Sequence, residues 1–193
     1  DHTVNKKFWA ERFLKDFIAL FLLKKIKPKQ IIDVFKFLQY LAFFRGKNKH
    51  FLKKIVSTKI NNNNQVTITE AIGENKDIVL KIDIEGDEYK ILNTIDKNFN
   101  KINLLIIEFH NIHQNMNKIK KFLIKSKLKL IHIHGNNFAG VNKNKDPNVV
   151  EMTFLNSKKF KIIKSKSNFK YPIFNLDYKN FKRRSDIELK FYD

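Results

Sequence analysis

Two β-branched apolar runs, Ile78–Ile84 and Leu104–Phe109, each lead into charged or ionisable residues, and each is followed by a helical segment. The first reads Ile-Val-Leu-Lys-Ile-Asp-Ile and passes into Glu85-Gly86, with a short helix expected from Asp87 to about Ile95. The second is followed by a helix that carries Ile119, Phe122 and Leu123 and ends near Lys127. A third strand is expected over Leu128–His134 and a fourth over Val149–Leu155. Strand, helix, strand, helix, strand at this spacing implies βαβ units and a parallel sheet. The last two strands are joined by the 14 residues Gly135–Asn148 with no helix between them, so they are expected to pair antiparallel as a terminal hairpin.

Composition qualifies what this sheet is for. The 193 residues carry 39 Lys and Arg against 19 Asp and Glu, a formal charge of +20 that invites a nucleic-acid reading. Arg stands only at positions 12, 45, 183 and 184, although it is the residue best suited to bidentate phosphate and base contacts. Lys, Asn and Ile dominate the chain and share A/T-rich codons, which explains the excess without a polyanionic partner, so no nucleic-acid partner is expected. The charge is also uneven: residues 1–60 sum to +11, residues 61–110 to −4 and residues 111–193 to +13. Acidic residues held against that background mark the middle segment as the place to look for chemistry. The absence of Cys excludes a disulfide framework, a thiolate zinc site and a cysteine nucleophile.

The chain is read as one domain in three parts: a basic helical segment over 1–60, a βαβ core over 61–155 and an extension over 156–193. In the first part Trp9, Phe13, Phe17, Leu20 and Phe21 fall at helical spacing within 8–25. A second helix, from Pro28 to about Phe44, aligns Ile31, Val34, Phe35, Leu38 and Leu41. A core-facing pair is the favoured reading, with contact to a membrane surface as the alternative. No apolar stretch is long enough for a spanning helix. Thr67 or Thr69 is a candidate cap for a short helix containing Glu70 and Ala71.

The segment Leu80-Lys81-Ile82-Asp83-Ile84-Glu85-Gly86-Asp87-Glu88-Tyr89 resembles the central signature of FkbM-family methyltransferases, Lys-x-Asp-x-Glu-Gly-x-Glu at a strand end. Ile106-Ile107-Glu108-Phe109-His110 resembles the strand that follows it in that family. His132-Ile133-His134-Gly135-Asn136-Asn137 and Val150-Glu151-Met152-Thr153-Phe154 resemble the hairpin of a bacterial branch. Leu176-Asp177 and Asp186-Ile187-Glu188-Leu189 also fit that branch. The resemblance implies an α/β fold with the Rossmann-like class I methyltransferase sheet, S-adenosylmethionine as cofactor, and a hydroxyl of a glycan or natural product as acceptor. It implies that Asp1, in the opening Asp1-His2-Thr3-Val4, ends the second strand and binds the ribose hydroxyls. The first strand and glycine-rich loop of such a fold would then precede Asp1. Gly86 and Gly135 do not replace that loop, so the chain is expected to be a fragment that alone binds cofactor poorly. Cofactor supply and the lack of Cys fit the cytoplasm.

Ligands of an open α/β sheet sit outside the carboxyl ends of its strands. Asp83 and Glu85 lie at one such end, Glu108 and His110 at the next, and His134 at the third. With neighbouring strands about 4.8 Å apart, these side chains are expected to converge. Asp83 and Glu85, two apart, are expected to share a face of the strand. Asp83 and Glu85 are the candidates beside the cofactor, Asp83 nearest the methyl group, and His134 and His110 the candidate bases for the acceptor hydroxyl. Glu88, Glu108, Asn136 and Asn137 are candidates for binding the acceptor, with helix-start charge and turn formation as the structural readings of Glu88 and of the two Asn. His2, His50 and His113 have no local support. A divalent metal on Asp83, Glu85, Glu108 and His110 is a second, less favoured option, because the spacing is no dedicated metal motif. A non-catalytic methyltransferase-like protein, or a basic module for polyanions or membrane surfaces, is the alternative to an enzyme.

Overall fold

The computed structural model describes residues 54–56, 65–162 and 170–189 without interruption, and single positions between 11 and 42. By its internal contacts the chain divides into two units, one of residues 1–54 with 60–66 and one of 55–59 with 67–193. In the first, the described positions from Glu11 to Ile18 and from Ile32 to Ala42 are helical, as their periodicity predicts. Phe35 and Leu38, expected to face a core, are 63% and 53% exposed. Helical periodicity states which side chains share a face and not what covers that face. Among the described residues no helix is long and apolar enough to cross a membrane.

Two three-residue strands, β1 (Lys54–Val56) and β2 (Gln65–Thr67), lie outside the main sheet. Helix α1 (Ile68–Ile72) starts at Thr67, whose side chain accepts from the Glu70 backbone N–H while the Glu70 side chain accepts from that of Thr67. This reciprocal cap satisfies two otherwise orphaned donors and selects Thr67 over Thr69 as the helix start.

The main sheet has four strands: β3 (Ile78–Ile82), β4 (Ile102–His110), β5 (Leu128–Gly135) and β6 (Val149–Asn156). Helix α2 (Glu88–Lys97) joins β3 to β4 and α3 (Ile112–Lys125) joins β4 to β5. The spatial order is β3-β4-β6-β5. β3 and β4 are parallel, and β6 runs antiparallel to both β4 and β5. The expected parallel sheet with a terminal antiparallel hairpin is therefore present, as in the Rossmann-like class I methyltransferase sheet. The last strand inserts between β4 and β5, so His134 does not converge with the other strand-end residues as expected: it shares a row with Glu108 but lies two strand spacings, roughly 10 Å, from it.

Alternation sorts the strands into two faces. Leu105, Ile107 and Phe109 of β4 pair with Phe154, Met152 and Val150 of β6, and all are buried. They join Ile91 and Ile95 of α2 and Ile119 and Phe122 of α3 in one core, with Phe122 edge-on to Phe154 at 5.4 Å between ring centres. The intervening residues form polar rows across the other face. Glu108, Glu151 and His134 are aligned, and one step along lie Ile106, Thr153 and His132. A register shift between Leu130 and His132 brings both histidines onto this face. The carboxyl ends of β3, β4 and β5 share one edge of the sheet, where the acidic signature sits.

Candidate functional site

β3 ends at Ile82, two residues earlier than the apolar run suggests. The chain then turns sharply. Glu85 adopts a left-handed conformation with φ +56°, and Gly86 follows at φ +107°, a region that excludes most side chains. Asp83 and Glu85 do come together, but this turn brings them there rather than strand alternation.

The turn is built on Glu88. That side chain is fully buried, and its Oε1 accepts from the backbone N–H of Ile84 at 3.3 Å and of Gly86 at 3.0 Å. The same oxygen lies 3.0 Å from Nδ1 of His110, the last residue of β4. Its Oε2 has no hydrogen-bond partner. Glu88 therefore does more than supply a helix-start charge: it ties the β3 turn to the end of β4.

His110 is the hinge of the cluster. Its Nε2 lies 3.4 Å from Glu85 Oε2, and one ligand atom each of Asp83, Glu85 and His110 lie within 4.8 Å of one another. Asp83 and Glu85 are exposed and His110 is half-buried, so solvent reaches the cluster from one side. The Tyr89 hydroxyl donates to the His110 carbonyl at 2.6 Å. Burial, helped by the charge of neighbouring Glu88, raises the Tyr89 pKa well above its ordinary value, which keeps that donor protonated.

His134 sits apart from this cluster. It is buried, and its Nε2 lies 3.2 Å from Asp186 Oδ1. His132 makes the matching contact to Asp177 at 2.7 Å. The two aspartates lie 45 and 52 residues beyond their partners, and no local pattern links them. The sole sequence signal was the presence of both acids in the late segment. Together they fasten residues 171–189 to β5, and Gly135 leaves the room this needs, since a Cβ there would meet Ile187 Cβ at 3.2 Å. A cavity of about 590 Å³ opens between the β5–β6 loop and residues 184–189, with Asp186 and Glu188 on its wall.

The remaining candidates are occupied within the chain. Glu108 Oε1 accepts from Asn136 Nδ2 at 2.6 Å, and Asn136 Oδ1 accepts from the Phe138 N–H. Asn137 is buried, takes the Phe181 N–H on Oδ1 and directs Nδ2 to the carbonyls of Phe181, Arg184 and Ser185. Asp1 lies outside the described residues.

An α/β sheet with its last strand inserted antiparallel, and a carboxylate-rich turn at the end of a parallel strand, defines a methyltransferase-type domain. Residues 45–161 match the family model of the methyltransferase FkbM domain. The chain belongs to that family, and the match spans the signature turn and all four strands of the main sheet. No curated protein and no solved structure matches it.

Proposed function

We propose that the protein is an S-adenosylmethionine-dependent O-methyltransferase whose acceptor is a hydroxyl of a glycan or natural product. The observation that carries this reading is the convergence of Asp83, Glu85 and His110 at the carboxyl edge of a methyltransferase-family sheet. The cofactor supplies a methyl group on a positively charged sulfonium. The described residues suit that end of it, since two exposed carboxylates with no lysine or arginine partner among the described residues offer the complementary charge. The ribose contact assigned to Asp1 rests on resemblance.

The protein's part in such a transfer is alignment and proton removal. Asp83 and Glu85 accept hydrogen bonds from an incoming hydroxyl and orient it. The proton has two candidate destinations. One is Nε2 of His110, whose Nδ1–H is held by Glu88. The other is His134, oriented by Asp186 beside the cavity. The acceptor class follows from the family resemblance, and the mixed polar and apolar walls of that cavity accommodate a polyol.

Calorimetry with S-adenosylhomocysteine on the full-length chain tests the reading. Binding is expected, and Asp83→Ala is expected to abolish methyl transfer while the protein stays folded. A folded full-length chain that binds no S-adenosylhomocysteine would refute the proposal.

A further inference from the structure

The cluster at the β3 turn carries a charge imbalance that the methyl-transfer reading does not explain. Three carboxylates, of Asp83, Glu85 and Glu88, gather on one imidazole. Among the described residues Glu85 and Glu88 form ion pairs only with His110, and Asp83 has no partner at all. The lysines nearest in sequence are engaged elsewhere: Lys81 with Glu151 at 3.4 Å and Lys90 with Asp87 at 2.6 Å. In a chain of formal charge +20, cations to neutralise this spot were abundant, and among the described residues none is placed there.

The imidazole supplies a second observation. Glu88 Oε1 lies on its Nδ1 at 3.0 Å and Glu85 Oε2 on its Nε2 at 3.4 Å, so two carboxylates share one ring while Asp83 stands beside them without a partner among the described residues. A proton on Nε2 would serve Glu85 and leave Asp83 unmatched, whereas a divalent cation serves all three groups. The outer partner fits the same reading. Histidine ligands generally pass their second N–H to a carboxylate, which orients the ring and raises its basicity. Glu88 stands in that position, with no exposure, one oxygen on His110 and the other without any partner.

We propose that Asp83, Glu85 and His110 form a divalent-cation site of the Mg²⁺ and Mn²⁺ class, backed by Glu88. Two carboxylates and one imidazole suit Mn²⁺ well and leave coordination positions for water or an acceptor oxygen. The ligand atoms, within 4.8 Å of one another, close onto one ion by rotation of the two exposed carboxylate side chains. As a catalytic device this rests on the methyltransferase reading: the cation holds and acidifies the acceptor hydroxyl. It also claims Nε2 of His110, so the proton of the acidified hydroxyl passes to water on the exposed side of the cluster. As a binding site it stands without that reading.

The test is titration of the full-length, metal-stripped chain with Mn²⁺ alone, followed by the loss of the free-ion paramagnetic resonance signal and by calorimetry. One saturable site is expected. Asp83→Asn and His110→Ala should each weaken it about tenfold or more. Glu151→Gln, on the same sheet face but outside the cluster, should leave it unchanged. Absence of saturable binding in the folded wild-type chain overturns the proposal, as does unchanged binding in an Asp83→Asn, Glu85→Gln double variant. Both of those side chains are exposed, and circular dichroism establishes that the variant is folded. S-adenosylhomocysteine is titrated separately in the presence of EDTA. Cofactor binding without Mn²⁺ binding removes the metal site and spares the methyltransferase, and the converse removes the methyltransferase and spares the site.

Discussion

Loss of the Glu88 side chain should be costly for a polar residue. Its Oε1 takes the backbone N–H groups of Ile84 and Gly86 and the ring of His110, all at 3.0 to 3.3 Å, from a position with no solvent exposure. Glu88→Ala strips three donors of their acceptor at once. A buried donor left unsatisfied costs about 1–3 kcal/mol. The turn is half-buried, so water recovers part of this, and the expected loss is about 3–5 kcal/mol. At about 2–4 °C per kcal/mol for a chain of this size, the melting temperature should fall by roughly 6–20 °C. Glu88→Gln keeps an acceptor carbonyl in the same place. It exchanges an already unpartnered oxygen for an amide, so its cost should be about 1 kcal/mol or less. Urea unfolding followed by circular dichroism on the three proteins measures both differences. If the Ala variant lies within about 1 kcal/mol of wild type, or the Gln variant is as unstable as Ala, the buried carboxylate is not the acceptor that builds the turn.

Two further outcomes follow from other contacts. Tyr89 keeps its proton in the folded protein at pH values where the unfolded chain releases it, so its contribution to stability is complete below the ordinary value of about 10 and declines as pH rises beyond it. Unfolding midpoints measured from pH 8 to 11 should drop more steeply for wild type than for Tyr89→Phe, and equal slopes would show that the phenol is not protected. Asn137 makes four hydrogen bonds to the segment from Phe181 to Ser185, so Asn137→Ala should release that segment and speed limited proteolysis near Arg183 and Arg184. An unchanged cleavage rate there would show that the two His–Asp pairs hold the segment by themselves.

The four strands of the main sheet were legible as largely apolar runs with polar boundaries, each placed within two residues of its observed limits, whereas the three-residue β1 and β2 were not anticipated. The meeting of Asp83, Glu85 and His110 was legible from the rule that strand ends converge, although the left-handed Glu85 that produces it was not. Left-handed conformation at a non-glycine is set by what surrounds the turn, here the Glu88 carboxylate, and not by local preference. Local pattern alone left strand order open, and only the resemblance to the class I methyltransferase sheet bore on it. A hairpin pattern states that β5 pairs with β6, but nothing in either strand says which edge of the hairpin meets β4. The partnerships of His132 with Asp177 and His134 with Asp186 are tertiary contacts with no periodic signal.

The insertion of β6 between β4 and β5 has a consequence in time. During synthesis β3 and β4 emerge first and can pair as soon as α2 has crossed over. β5 emerges next but, among the described residues, has no strand to join until the one made last. Until residue 156 has left the ribosome, one edge of β4 and both edges of β5 are open, and open edges are where chains adhere to one another. Lys127 and Lys129, at the start of β5, add charge to that waiting strand. A nascent chain halted before Val149 would thus hold two unjoined halves of one sheet, and arrival of the final eight residues of β6 closes them in a single event.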